Sequence, residues 1–297
     1  MRDRLRSGWR VSERREISAY TSPCLRPLTS LPPRNLTVSD PLRKTKSATS
    51  IRTLSTQLRQ LGVAHGDLLM VHASLRAVGP TEGRAAGLIQ ALLDAVGEAG
   101  TLMAYVDYEA SADLPYFDPV HSPAAVDYGA LAEEIRRWPT ATRSLNPGAS
   151  VAAIGAAAAW LCADHPLDYG YGLGSPFAKL VERQGKVVLL GSDFDHVTLL
   201  HYAEHIAPLP QKRVVRRDYR MKVGEEIVAR SVEEFDTSEP VVDGMPTDYF
   251  AQITQAFVDG GRAASGTVGR ALAVLLPAAE LVQFAVETMG REYGGRV

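Results

Sequence analysis

The sequence has few cysteines and no long apolar run. Two cysteines, Cys24 and Cys162, occur in 297 residues. They lie far apart in unlike contexts, so neither a disulfide framework nor a cysteine metal motif is expected. No apolar stretch approaches the roughly 18 residues that a membrane-spanning helix needs, and the N-terminus lacks the apolar segment of a secretory signal. A cytoplasmic protein without a membrane anchor is therefore expected.

The sequence also has almost no net charge. Its 32 Lys and Arg residues face 34 Asp and Glu residues, which gives a formal net charge of -2. Charge therefore gives no reason to expect a nucleic acid or an anionic membrane as a partner. The hydrophobic fraction of 45% and the charged fraction of 22% are ordinary for a globular protein. The length suits one large α/β domain or two small domains.

The first 46 residues differ in composition from the rest. They are rich in Arg, Ser and Pro and lack hydrophobic periodicity, which predicts a largely disordered extension. Arg and Ser are also typical of transit peptides and basic anchors, but Asp3, Glu13, Glu16 and Asp40 argue against both. An extension without a function is the simplest interpretation, and the folded domain is expected over residues 47–297.

Helical and strand patterns alternate from there. Ser50 or Thr53 can cap a helix that ends at Leu61, and an apolar strand follows over residues 67–72. A second helix and a second strand come next, and this order predicts a sheet covered by helices. Residues 213–232 alternate like an antiparallel hairpin around Gly224. We expect an α/β fold with a central, mostly parallel or mixed sheet flanked by helices and a hairpin insertion.

One polar stripe follows a predicted buried strand. The strand covers residues 187–190, and residues 198–206 are predicted to form a helix on which Thr198, His201 and Glu204 share one face. Ligands of open α/β sheets bind beyond the carboxyl ends of strands. A carboxylate that holds one imidazole nitrogen leaves the other free to take a proton. Such a triplet alone is equally typical of a solvated helix surface.

Metal and thiol chemistry have weaker support. His201 and Glu204 do not form an H-E-x-x-H motif, and no third ligand stands at metal spacing, so no metal is expected. His196, His201 and His205 can share a helix, which leaves only adventitious metal binding. Cys162 lies in an apolar segment, where a buried inert thiol is favoured over a nucleophile.

The order of several short motifs indicates a family. From about Ser50 to Tyr293 the chain resembles the aminoglycoside 3-N-acetyltransferases, which are unrelated to the GNAT acyltransferases. The motifs are LGVAHGDLLMVHASLRAVGP (61–80), GTLMAYVDYE (100–109), FDP (117–119), RSLNPGAS (143–150), GSPFAKL (174–180), GKVVLLGSDFDHVTLLHYAEHIA (185–207) and KRVV (212–215). One departure is Asn146, because relatives commonly have His at that point of the RSxHP motif.

The resemblance implies a non-GNAT antibiotic acetyltransferase-like fold and an activity. The activity is transfer of acetyl from acetyl-CoA to the 3-amino group of 2-deoxystreptamine aminoglycosides, which confers antibiotic resistance. The family's T-x-x-H-x-x-E pattern falls on Thr198, His201 and Glu204, which become the expected catalytic residues. The protein would act as a monomer or homodimer. Two alternatives stay open: acetylation of another cationic amine, and a protein that sequesters the drug without turnover.

The resemblance also implies where the two substrates bind. Coenzyme A is expected against the loop after the first strand and the RS loop, at His72, Ala73, Ser74, Leu75, Arg76, Val78, Arg143, Ser144, Ser175 and Phe177. The polycationic acceptor requires acidic and aromatic side chains, for which the candidates are Asp107, Tyr108, Glu109, Glu233 and Asp236. Each acidic candidate could equally be a solvated loop residue.

Overall fold

The computed structural model describes residues 47–236 and 239–294, which all belong to one unit, Lys46–Val297. The strands within them are β1 (Leu68–Ala73), β2 (Thr101–Tyr105), β3 (Thr142–Arg143), β4 (Val151–Gly155), β5 (Lys186–Leu190), β6 (Val214–Val223), β7 (Glu226–Phe235), β8 (Ala264–Val268) and β9 (Ala271–Pro277). The helices are α1 (Ile51–Leu61), α2 (Leu75–Val78), α3 (Arg84–Val96), α4 (Gly129–Arg136), α5 (Ala158–Cys162), α6 (Pro176–Glu182), α7 (Leu200–Ile206), α8 (Tyr249–Asp259) and α9 (Ala278–Tyr293). The predicted disordered extension, residues 1–46, lies outside the described residues.

Seven of these strands form one mixed sheet in the order β3-β4-β2-β1-β5-β9-β8. The strand β1 pairs in parallel with β2 and β5, whereas β4 and β9 join them antiparallel from either side. The remaining two strands, β6 and β7, form an antiparallel ribbon of their own. The predicted α/β fold, with a mixed sheet and a hairpin insertion, is therefore confirmed.

Helices cover both faces of the sheet. Leu68 and Met70 of β1 pack in one core with α5 to α9, while Leu69 and Val71 pack in the other with α1, α3 and α4. Both faces of the strand are thus removed from water, which explains why the central strands are uninterrupted apolar runs in the sequence.

The first helix shows how local sequence defines an element. The Ser50 side chain accepts a hydrogen bond from the Thr53 backbone N–H at 3.1 Å, as an N-cap does. At the other end Gly62 adopts φ +114°, a left-handed conformation that favours glycine and ends the helix. Leu54 and Leu58 between them are completely buried.

The structure corrects one boundary. The helix predicted over residues 198–206 begins at Leu200, and a 3-10 turn, Phe194–His196, precedes it, so Thr198 is not helical. At one edge of the sheet, β8 and β9 form an antiparallel hairpin. No helix among the described residues has the length and apolarity to cross a membrane.

Candidate active site

A deep cleft opens where the three parallel strands end. The carboxyl ends of β1, β2 and β5 meet at one edge of the sheet, and the residues after each strand line a cleft of about 1090 Å³. These segments are residues 71–74, 107–110 and 191–193. The β6–β7 ribbon supplies a further part of the wall. The cleft therefore has the location that ligands prefer in open α/β sheets.

His201 lines this cleft and is held by Glu204. Its Nδ1 lies 2.5 Å from Glu204 Oε2, and the side chains are 20% and 3% exposed. The imidazole ring also packs against Tyr171, at a centroid distance of 4.6 Å, and against Phe250, at 4.9 Å. Because Nδ1 is occupied and the ring is fixed, Nε2 is the nitrogen available for proton exchange.

Burial changes the carboxylate behind the imidazole. Loss of hydration raises the pKa of Glu204, while the nearby His201 and Lys212 oppose this rise. A buried carboxylate of higher proton affinity is a strong hydrogen-bond acceptor, so it orients the imidazole and stabilises its protonated form. Glu204 borders a smaller cavity of about 240 Å³ on its other side.

Thr198 stands beside His201 although it lies outside the helix. It lines the same cleft, and its carbonyl oxygen accepts a hydrogen bond from the His201 backbone N–H at 3.1 Å. The structure thus brings two of the three predicted catalytic residues to the cleft surface and places the third, Glu204, in contact with His201.

The ten residues predicted to bind coenzyme A divide into two groups. His72, Ala73 and Ser74 line the cleft. The other seven, Leu75, Arg76, Val78, Arg143, Ser144, Ser175 and Phe177, lie outside its lining. The hydroxyls of Ser74 and Ser175 cap α2 and α6, and Val78 and Phe177 are completely buried. Contact of any of these residues with coenzyme A stays a prediction.

Arg143 organises the loops beside the cleft. Its guanidinium donates to the carbonyl oxygens of Val106 and Ser122, both at 2.5 Å, and to Ser150 Oγ at 3.1 Å. Burial lowers its pKa to about 10. All three guanidinium nitrogens therefore have partners inside the protein, which gives Arg143 a structural role whether or not it also meets a phosphate.

The predicted acceptor-binding residues divide as well. Asp107, Tyr108 and Glu109 line the main cleft, whereas Glu233 and Asp236 do not. Glu233 forms an ion pair with Arg216 at 3.0 Å, and Asp236 forms one with Arg213 at 2.8 Å. Asp236 borders the smaller cavity.

Glu234 is a cleft residue that the sequence prediction missed. It follows Glu233 on β7, and successive strand residues point to opposite faces, so only one of the two can face the cleft. Its Oε1 accepts a hydrogen bond from the Tyr219 hydroxyl at 2.7 Å, and its Oε2 lies 3.0 Å from Arg217 Nε. The alternation of faces along β7 would have separated Glu234 from Glu233 in the sequence, but only with knowledge of how the ribbon is paired and placed.

Two half-buried carboxyl groups therefore share the cleft. Burial raises the pKa of Asp107 to about 8, and the negative charge of Glu234 contributes to this rise. Burial also raises the pKa of Glu234, although Tyr219 and Arg217 oppose it. A cationic ligand between them would replace the missing hydration and favour both charged forms.

Comparison with known proteins identifies the family. A family model described as aminoglycoside 3-N-acetyltransferase matches residues 70–290. The chain belongs to this family. The enzyme is 40% identical to aminoglycoside N(3)-acetyltransferase III of Pseudomonas aeruginosa over 79% of its own length and 91% of the relative's. It is 37% identical to aminoglycoside N(3)-acetyltransferase VII of Streptomyces paromomycinus over 85% and 97%.

Solved structures agree. A binary complex of AAC-IIIb with CoASH superimposes on this acetyltransferase with a TM-score of 0.81 and 42% identity, and covers 84% of this chain and 100% of the other. AAC-VIa bound to sisomicin gives a TM-score of 0.79 and 35% identity, with coverages of 84% and 100%. The family resemblance, the fold and the acyltransferase class predicted from the sequence are confirmed.

The cleft of this acetyltransferase offers neither a metal centre nor a reactive thiol among the described residues. No three His, Cys, Asp or Glu side chains in that part of the chain are grouped to hold a metal ion. Cys162 is buried with its Sγ 3.2 Å from the Thr142 carbonyl oxygen, and burial raises its pKa to about 12.

Proposed function

We propose that the protein transfers acetyl from acetyl-CoA to the 3-amino group of 2-deoxystreptamine aminoglycosides. The observation that carries the proposal is the His201–Glu204 pair at 2.5 Å in the wall of a cleft that also holds Asp107 and Glu234. A proton acceptor and two carboxylates in one cleft suit an acceptor that is a cationic amine. The printed names of its relatives, and the CoASH and sisomicin of two neighbours, point to the same pair of substrates.

Proton removal is the first task of the site. A 3-ammonium cannot attack until it loses a proton, and His201 Nε2 takes it directly or through one water molecule. Glu204 stabilises the resulting imidazolium through its hydrogen bond to Nδ1. The free amine then attacks the thioester carbonyl carbon. A C–N bond forms, the C–S bond breaks, and the nitrogen loses a second proton as the amide forms. Of the two protons that the nitrogen has lost, one goes to the leaving thiolate to give CoASH and the other goes to solvent.

The tetrahedral intermediate needs a hydrogen-bond donor for its oxyanion. Backbone N–H groups at the cleft are one possible source, but the Ser74 N–H already donates to the Leu190 carbonyl oxygen at 3.0 Å. The Thr198 hydroxyl, which lines the cleft beside His201, is therefore the favoured donor. His72, Ala73 and Ser74 would lie against the thioester end of acetyl-CoA.

The acceptor would bind between the sheet edge and the ribbon. Asp107 follows β2 and Glu234 lies on β7, so the two carboxyl groups come from different elements of the cleft wall. Tyr128 adds an aromatic ring and a hydroxyl 3.5 Å from Asp107 Oδ2. Charge–charge pairing with both carboxyl groups would hold a polycation in the cleft.

A thiol-release assay tests the proposal. With acetyl-CoA and tobramycin, the wild type should release CoASH, and a drug acetylated beforehand at the 3-position should give none. His201→Ala should lose at least about 100-fold in kcat while tobramycin still binds. The matched control is His205→Ala on the same helix, since His205 lies outside the cleft lining. Absence of CoASH release with every deoxystreptamine drug would refute the proposed activity.

A further inference from the structure

A glycine forms the cleft wall where Glu234 rests. Gly148 lies in the loop between β3 and β4, and both residues line the cleft. A Cβ atom added to Gly148 would lie 1.6 Å from Glu234 Oε1 and 2.9 Å from the Tyr219 hydroxyl oxygen. Real Cβ atoms essentially never approach another heavy atom below 3.0 Å. Any side chain at position 148 would therefore push the Glu234 carboxylate out of its place.

The backbone conformation at position 148 does not by itself require glycine. Gly148 does not have the positive φ that disfavours other residues, so alanine could adopt its conformation. The space that a Cβ atom of residue 148 would occupy is filled by the Glu234 carboxylate instead. The close approach of Glu234 is what requires glycine here.

The loop is also prevented from moving aside. The Gly148 N–H donates to Asn146 Oδ1 at 2.9 Å, and Asn146 Nδ2 donates to the Pro166 carbonyl oxygen at 2.7 Å. On the other side the Tyr105 hydroxyl reaches the Gly148 carbonyl oxygen at 3.4 Å. A methyl group at position 148 is thus accommodated more easily by the flexible end of Glu234 than by the loop.

We propose that Gly148 is a positioning residue for acceptor binding, because its missing side chain lets Glu234 stand at a fixed place in the cleft that also holds Asp107. The two carboxylates then present a defined spacing to the ammonium groups of the acceptor. This inference rests on the proposed function, since it concerns how the acetyl acceptor is selected. Gly148 touches Glu234 and acts on the acceptor only through it.

The first measurement is the kinetics of Gly148→Ala. We expect KM for tobramycin to rise about 10- to 100-fold, as for a lost hydrogen bond between charged groups. KM for acetyl-CoA should change less than about twofold, because only the acceptor side loses a contact. The control is Gly266→Ala on the edge strand β8, whose added Cβ would meet only Leu61 Cδ1 at 3.3 Å, away from the cleft. Its two KM values should both stay near those of the wild type.

A double-mutant cycle isolates the contact. Once Glu234→Ala has removed the carboxylate, adding Gly148→Ala should raise KM for tobramycin no further. In this double variant the clash with the carboxylate is gone and only the Tyr219 hydroxyl, 2.9 Å from the added Cβ, has to shift, so we expect it to fold even if Gly148→Ala alone does not. An unchanged KM in Gly148→Ala, or an equal effect with and without Glu234, would overturn the inference. Either of these outcomes can be observed only if the wild type acetylates tobramycin. Failure of the proposed function would appear differently, as an absence of CoASH release by the wild type.

Discussion

Glu204 is a residue whose charge, not its shape, should matter for catalysis. Its carboxylate is buried behind His201, and burial raises its pKa. Glu204→Gln keeps the size and a hydrogen-bond acceptor but cannot stabilise an imidazolium by charge. We expect kcat to fall about 100-fold, within the usual range for acid–base assistance, with little change in melting temperature. Steady-state kinetics beside the exposed Glu182→Gln control measures this, and a loss below about twofold would show that Glu204 only packs.

Asp107 should make acceptor binding release a proton. Burial raises its pKa to about 8, so at pH 7 the free enzyme holds this carboxyl group mostly protonated. An ammonium group beside it favours the carboxylate, lowers the pKa and expels the proton. Calorimetric titration with tobramycin at pH 7, in buffers of different ionisation enthalpy, counts the protons exchanged. Asp107→Asn should release up to one proton fewer than the wild type, whereas the exposed Asp113→Asn should match it. Equal proton counts would contradict a protonated Asp107.

The contact between two site residues could be predicted where it depends only on their spacing within one element. The spacing of His201 and Glu204 is a property of one helical turn, and the structure joins them. The choice between Glu233 and Glu234 is not local, because it depends on which face of β7 meets the cleft. Pairing of Glu234 with Val215, and of Glu233 with Arg216, fixes that face, and the sequence does not state this register.

At the scale of elements, His165 connects two loops beside the cleft. Its Nδ1 lies 2.8 Å from Ser144 Oγ, and its Nε2 donates to the Gly170 carbonyl oxygen at 2.6 Å. His165→Ala leaves the Gly170 carbonyl oxygen without this donor and the Ser144 hydroxyl without its acceptor, although Ser144 Oγ still accepts from the Val151 N–H at 3.0 Å. We therefore expect a loss of about 2–5 kcal/mol in the free energy of unfolding. Urea unfolding measures it, with His121→Ala as the control, since that side chain is 77% exposed. A loss no greater than in the control would mean that the loops hold without this link.

The start of α7 shows why the first residue of a helix was predicted incorrectly. Helical spacing extends back to Thr198, yet Val197, Leu199 and Leu200 are all completely buried. A continuous apolar run fits a helix, a turn or an extended segment equally well, so periodicity alone cannot locate the first helical residue. The 3-10 turn at Phe194–His196 begins the segment instead. Thr198 still reaches the cleft because the turn brings it beside His201.

For the whole molecule, the sequence predicted the layers but not the strand directions. Alternating helices and apolar runs indicated a covered sheet, and the structure has one. The strands β4 and β9 are nearly as buried as β1, so nothing in their composition marks them as antiparallel. The direction of each strand depends on how the preceding segment crosses the sheet, and that depends on tertiary packing.

Stability should pass through a maximum near neutral pH, because the three groups with the largest shifts between pH 4 and 8, His72, His165 and Asp107, titrate differently in the folded and unfolded chain. Burial lowers the pKa of His72 and of His165 to about 4, and their usual value is 6.5. Between pH 6.5 and 4 the unfolded chain therefore binds two protons that the folded protein does not. Over the same range folded Asp107 holds one proton that the unfolded chain has lost. The net excess of one proton in the unfolded state makes the free energy of unfolding fall by about 1.4 kcal/mol per pH unit on acidification.

Above pH 6.5 the sign reverses. Both histidines are then neutral in either state, and of these three groups Asp107 alone still differs, because its proton is held in the folded state until about pH 8. The free energy of unfolding should therefore decline from pH 6.5 to 8. Urea titrations at pH 5, 6.5 and 8 should give the highest value at pH 6.5 for the wild type. In Asp107→Asn the decline above pH 6.5 should disappear and the loss on acidification should steepen towards about 2.7 kcal/mol per unit. A wild type whose stability keeps rising to pH 8 would show that Asp107 is already ionised at neutral pH.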